Sequence, residues 1–393
     1  MRWVPPRSAW TVGLGTTLAF GGWGALPWII GAIVEGVGFR NDAAAFLGTV
    51  ELTLMGLCML VIAPRVPRMN RARAIAFALP VMVAAQITSA FLHSYSAFLV
   101  VRALSGIAFG LVLAVATAEG ADNPEPDRAF AAAAVIAMCF GIIKTPLLGY
   151  AKELFGYRGL FLALAFYYLL VGVPFFAFLM VAPKAQSRAL TPAPKAPISV
   201  FAVVGVLIVM AMYSVATGGV YAFVERVANH VGISASGLGR GFSATSLVAT
   251  LGGAAAGRLG LRWGRGIPTL GGFIVLGLLS IWLMSTATPW GFWLCYVPWA
   301  VAYWFAYPYI MGLSVLVDPL GRLATVTSAV LILTGAVGAS LAGIFTQHAG
   351  LSSFGWAACV LCFLGALAAG LVIRKKLPLP PFAASPASLS PID

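Results

Sequence analysis

Twelve apolar stretches, most separated by short polar turns, leave this 393-residue chain few folds to choose from. They run approximately over 12–34, 43–63, 74–93, 97–118, 129–150, 159–182, 199–224, 236–257, 267–286, 289–313, 323–346 and 353–373. A helix needs roughly 20 apolar residues to cross roughly 30 Å of hydrocarbon. In lipid every backbone N–H and C=O must be satisfied internally, so the expected fold class is an all-α membrane protein with twelve transmembrane helices. Composition agrees, since 61% hydrophobic and 9% charged residues, with a mean hydropathy of +0.97, cannot be enclosed by a polar surface of the chain's own.

A net charge of +13 would point a soluble domain toward nucleic acid. Here the basic residues lie in alternate loops, which makes the charge a topology signal and argues against a nucleic-acid partner. With both termini on one side, that side collects 17 Lys and Arg residues and the opposite side collects 5, namely Arg40, Lys152, Arg158, Arg226 and Arg240. Both termini are therefore expected to be cytoplasmic, in a multi-pass protein of the inner membrane. The N-terminal arginines precede an apolar run with no cleavage context, which reads as the first helix.

The chain also repeats. Adding 194 carries Gly24 to Gly218, Gly38 to Gly232, Arg68 to Arg262, Arg71 to Arg265, Arg128 to Arg322, Gly141 to Gly335, Gly149 to Gly343 and Gly156 to Gly350. This register divides the chain into two pseudo-symmetric six-helix bundles, 1–182 and 199–376. Between them, 183–198 is a basic, Pro-rich cytoplasmic linker, and 377–393 has the composition of a disordered cytoplasmic tail.

Two stretches carry a family resemblance. Arg102, Gly106 and Gly110 recur at four-residue spacing on one helix face, and Gly141, Thr145, Pro146, Gly149 and Tyr150 follow in the next span. The first is similar to the fourth-helix arginine signature of the major facilitator superfamily. The second resembles its fifth-helix antiporter signature, with Thr145 and Tyr150 where glycine is usual. Gly257 to Arg265 is similar to the family's gating loop, with Leu261 at the acidic position, and its first-half counterpart has Pro67 there. The resemblance implies a secondary transporter with its substrate site near mid-membrane between rocking halves, lined by the first, fourth, seventh and tenth helices. It also makes Arg68, Arg71, Arg262 and Arg265 candidate gating residues.

Ionisable groups inside a membrane cost roughly 2.5–3.5 kcal/mol on insertion scales, so each is a candidate functional group. Glu51, Arg102 and Lys144 fall within one or two turns of the same depth. Glu51 with Arg102 is the expected proton-coupling pair, because a carboxylate facing a cation stays ionised until the cation moves. A fixed pair that locks helices together is the competing reading. Lys144 and Arg102 are candidate contacts for an anionic solute, with Trp23, Tyr213, Tyr221, Trp299, Tyr303 and Tyr307 as aromatic contacts able to stack and to hydrogen-bond. Glu35 and Glu225 are expected as solvated helix-end groups. Glu119, Asp122, Glu125 and Asp127 are expected to pair with arginines of nearby turns.

Five cysteines all fall in apolar spans, and three histidines scatter over outer turns, so neither a disulfide framework, a metal site nor a cofactor is expected. No nucleophile sits beside a base, and no phosphate-binding loop is present, which argues against an enzyme and against ATP-driven transport. The expected partners are a small solute, protons and the bilayer, with the chain acting as a monomer. The expected function is proton-coupled transport of an anionic or aromatic amphipathic solute, with efflux by antiport ahead of uptake of an organic anion by symport. A non-transporting membrane scaffold or sensor is the alternative of another class.

Overall fold

The computed structural model describes residues 7–122, 126–181, 199–260, 262–317 and 322–374. The expected linker 183–198 and tail 377–393 lie outside them. Twelve α-helices follow: α1 (Arg7–Ala19), α2 (Gly21–Val37), α3 (Asn41–Ile62), α4 (Arg71–Ser89), α5 (Tyr95–Ala121), α6 (Pro126–Val181), α7 (Val200–His230), α8 (Ala235–Leu259), α9 (Gly266–Ser285), α10 (Pro289–Val317), α11 (Arg322–Ala349) and α12 (Leu351–Arg374).

Helices and spans do not correspond one to one. A bend at Phe20 separates α1 from α2, which together make one apolar stretch, Trp10–Val37. In contrast α6 holds two arms, because Gly156 takes a φ of 63° that L side chains rarely adopt and turns the chain back. Among the described residues nine apolar stretches are long enough to cross a membrane, one of them being the two-armed 135–181. Helices α8 and α10 reach 25 and 29 residues, rich in small residues in α8 and in Trp and Tyr in α10. The stretches read from the sequence fall on these helices, 12–34 running across α1 and α2 and both 129–150 and 159–182 lying in or at the end of α6.

Within the first half α1 packs on α5 and α6, α3 on α5, and α4 on α5 and α6. Within the second, α7 packs on α11 and α12, α9 on α10 and α12, and α8 on α10. The halves meet through α3 with α11, α6 with α8, and α2 with α7. Lipid tails are as apolar as leucine, so helices associate here through close backbone approach. The Arg102, Gly106, Gly110 face shows how: a methyl group at Gly106 or Gly110 would strike the carbonyls of Glu51 and Met55 in α3.

The 194-residue register holds in three dimensions. Thr49 donates to the carbonyl of Ala336 at 2.7 Å, and its counterpart Ser243 donates to the carbonyl of Ile142, the counterpart of Ala336, also at 2.7 Å. Gly343 lies against the carbonyl of Asn41, and Gly149 against that of Ala235. Gln347 accepts the backbone N–H of Asn41 at 3.1 Å, and Glu153 accepts that of Ser236 at 2.8 Å. The two seams are one contact made twice, as an interface with two-fold symmetry requires.

Gly106 and Gly141 offer a controlled comparison, since nothing lies within 4 Å of a methyl group at Gly141. We expect Gly106→Ala to cost roughly 1–3 kcal/mol of stability through forced backbone displacement. Gly141→Ala should be neutral or slightly stabilising. Thermal unfolding of the purified protein in detergent checks both, and equal melting temperatures would contradict the α3–α5 packing described.

Candidate functional site

The first charged group inside the bundle is a sealed pair. Arg102 has no exposed surface and Glu51 only 3%. Arg102 Nη1 donates to Glu51 Oε2 at 3.2 Å, while Nη2 donates to Ser89 Oγ at 2.6 Å, Gln86 Oε1 at 3.2 Å and the Ala85 carbonyl at 3.4 Å. Ser105 donates to the other carboxylate oxygen at 2.7 Å, and the guanidinium lies 5.5 Å from the ring centre of Phe161. All of these partners belong to α3, α4, α5 and α6. The pair therefore braces one bundle from within. This is the arrangement of the fixed pair that competes with the coupling reading.

Lys144 is placed differently. Its ammonium turns from α6 toward the first turn of α2, where it donates to the Gly21 carbonyl at 3.4 Å and lies 5.9 Å from the Tyr167 ring centre. It is 7% exposed, and among the described residues no carboxylate reaches it. One turn along α2, the hydroxyl of Tyr221 crosses from α7 to donate to the Gly24 carbonyl at 3.1 Å. Trp23 reaches the other way and sets its ring against Gly335 of α11. Lys144, Trp23 and Tyr221 thus gather where the two bundles touch.

Of the remaining aromatic candidates, Tyr303 and Tyr307 stack at 6.3 Å along α10 and stay partly exposed. Tyr213 and Trp299 are withdrawn into the second bundle. Tyr213, fully buried, stacks on Tyr303 at 5.3 Å and donates to its carbonyl at 2.9 Å, and the Trp299 indole donates to Ser280 at 3.0 Å. The polar atoms of both are bonded within the second bundle. Both stack on the ring of Tyr303.

Among the described residues, the arginines expected to gate show no ion pair between the bundles. Arg71 is held within the first by Glu119 at 2.7 Å and Asp122 at 2.5 Å. Arg265 lies beside Gly312 of α10 within the second, and Arg68 and Arg262 are exposed. The side chains of Glu125 and Asp127 lie outside the described residues. An ionic closure is found instead at the end away from the termini. Lys152 of α6 pairs there with Glu225 of α7 and, at 3.0 Å, with Glu35 of α2. Arg226 joins Glu35 at 2.9 Å, and the Asn229 amide donates to Glu35 at 2.7 Å and to Glu225 at 3.0 Å.

Sequence reasoning missed this cluster and treated Glu225 as solvated, whereas it is fully buried. A signal was available. Asn229 stands 194 residues after Glu35, and Glu225 stands 194 after Gly31, whose Cα faces the Glu225 carboxylate. Residues one repeat apart that touch must sit on the pseudo-two-fold axis, so polar residues at such positions meet by construction.

The sequence pattern of the Major Facilitator Superfamily matches residues 12–335, and the chain belongs to that family. The fold is shared with a bacterial homologue of the human lysosomal transporter Spinster, inward-facing and occupied, at 16% identity and a TM-score of 0.76, covering 95% of this chain and 98% of that one. An auto-inhibited POT family peptide transporter matches at 13% identity and 0.73, covering 97% and 99%. The human organic anion transporter MFSD10 (TETRAN) matches at 17% and 0.66, covering 93% and 100%. A comparison with curated protein sequences found no match. The chain is thus an integral, multi-pass membrane transporter of the facilitator type.

The sealed pair can be tested apart from transport. Arg102→Leu leaves a buried carboxylate unpaired and should cost about 3–5 kcal/mol, whereas the double change Glu51→Leu with Arg102→Leu should recover most of that loss. A double-mutant cycle on unfolding checks it. Additive losses would mean that the two groups do not compensate each other.

Proposed function

We propose that this protein is a secondary active transporter for a small organic anion with an aromatic or otherwise flat apolar body, exchanged against protons in the direction of efflux. Lys144 carries the reading. It is a buried cation without a carboxylate partner among the described residues, held at the junction of the bundles, where an anionic group would supply the missing countercharge. Tyr221, bonded one turn along α2 from the carbonyl that Lys144 meets, is proposed to supply a ring for a flat solute together with Trp23, Tyr303 and Tyr307.

Two further observations support parts of this reading. Organic anions are the cargo named for MFSD10, which shares the fold. The run from Gly141 to Tyr150 resembles the family's antiporter signature and favours exchange. With Glu51 and Arg102 paired inside one bundle, we propose no part for them in coupling. The membrane is proposed to be the inner membrane, with both termini in the cytoplasm, on the 17 to 5 distribution of basic residues. The units 1–182 and 199–376 are proposed to rock as two bodies about the seams of α3 with α11 and α6 with α8.

Reconstitution into vesicles tests the proposal. Uptake of a panel of aromatic carboxylates should respond to an imposed proton gradient with the sign of antiport, and symport would show the opposite sign. Lys144→Gln should lower the initial rate at least tenfold, the scale on which losing a partner for a buried charge acts. Glu51→Gln should leave the protons moved per solute unchanged if the protein folds. A Lys144→Gln variant that transports anions at the wild-type rate would overturn the proposed site.

A further inference from the structure

Two polar levels are stacked along the same three helices, and the function proposed above uses only the lower one. At that level Lys144 of α6 meets the Gly21 carbonyl of α2, with Tyr221 of α7 bonded to Gly24 one turn along. Eight residues further along α6, about 12 Å at 1.5 Å per residue, stands Lys152. It is flanked by Gly31 and Glu35 of α2 and by Glu225 and Asn229 of α7. Both levels therefore present one lysine of α6, a glycine backbone of α2 and a polar side chain of α7.

From this repetition we infer that Lys152 is a second anion-binding station for the transported solute, occupied by the carboxylate of Glu225 in the closed arrangement seen here. Three observations carry it. The Lys152 side chain is only 9% exposed yet borders an open depression of about 460 Å³, lined also by Glu35, Asn229 and Ser234, so an anion arriving from that face has room beside the ammonium. The carboxylate in place fits its seat poorly. Glu225 Oε2 is buried without a hydrogen-bond partner, and its fellow oxygen is shared between Lys152 and Asn229.

The third observation concerns what the carboxylate does while it is there. Glu225 belongs to the second bundle and Lys152 to the first, so their contact holds the bundles together at this end. An anionic solute that takes Glu225's place on Lys152 removes that cross-bundle tie and keeps the cation neutralised. Charge balance points the same way, because Glu35 and Glu225 offset Lys152 and Arg226, and withdrawing Glu225 leaves one positive charge for a monovalent anion to meet. The class of ligand is thus that proposed for Lys144, a small organic monoanion, and the inference rests on that reading.

Equilibrium binding of radiolabelled 4-nitrobenzoate to the purified full-length protein tests it. The wild type should bind one equivalent, lost in Lys144→Gln. Glu225→Gln, which empties the station, should raise the count to two, and adding Lys152→Gln should return it to one. Gly31→Ala is a second route to the same state, because a methyl group there collides with the Glu225 carboxylate and should displace it. An unchanged count in both Glu225→Gln and Gly31→Ala would overturn the inference, as would a gained site that survives Lys152→Gln. If the wild type binds nothing while Glu225→Gln gains a Lys152-dependent site, the Lys144 reading fails and the station stands.

Discussion

Charge inside hydrocarbon has to find its opposite close at hand, and the way this chain meets that demand fixes most of its architecture. Arg102 takes five polar or ionic contacts from Glu51, Ala85, Gln86 and Ser89 without leaving its bundle. That is possible only because Gly106, one turn away on the same face, lets α5 lie directly on the backbone of α3 at Glu51. The arginine and the glycines that follow it at four-residue spacing are one device. The glycines bring the helices close enough for the ion pair to form, and the pair offsets part of the desolvation of both groups.

Between the bundles the same demand is met by symmetry. Helices α2 and α7 are repeat counterparts and touch along the pseudo-two-fold axis, so Gly31 faces Glu225 and Glu35 faces Asn229. Off the axis some contacts occur twice, as in the hydroxyl-to-carbonyl bonds of Thr49 and Ser243. A seam built from two equivalent halves can loosen on both sides together, which a rocking motion requires. Equivalence is incomplete at the helix starts, where Gln347 caps on one side and the carboxylate of Glu153 on the other.

The fold was legible in the sequence because it depends on length, hydropathy and repetition, all of which survive without coordinates. The apolar stretches anticipated an all-helical membrane fold, and the gap between stretches 129–150 and 159–182 falls at the turn inside α6. The site was legible only in part. Lys144 and Tyr221 stand out by type and depth, but nothing local says that Trp299 spends its N–H on Ser280 or that Tyr213 is fully enclosed. Glu51 and Arg102 share a depth, and depth does not reveal that both point into the same bundle. Glu225 was misjudged because distance along a span measures nearness to water only for a helix that faces water, and α7 at that level is covered by α2 and α6.

The asymmetry at Lys144 gives the site its direction. Its repeat counterpart is Gly338, whose Cα lies against the carbonyl of Val215, so no side chain, least of all a lysine, fits at that position of the second bundle. One bundle therefore brings the cation and the other brings the rings of Tyr221, Tyr303 and Tyr307. In the proposed site, a solute with a charged end and a flat apolar end would meet a different chemistry from each bundle. Binding of such a solute would be complete only when both bundles touch it, so its interaction energy would depend on how far the bundles are apart. That dependence is what a rocking carrier needs to make its motion respond to its cargo.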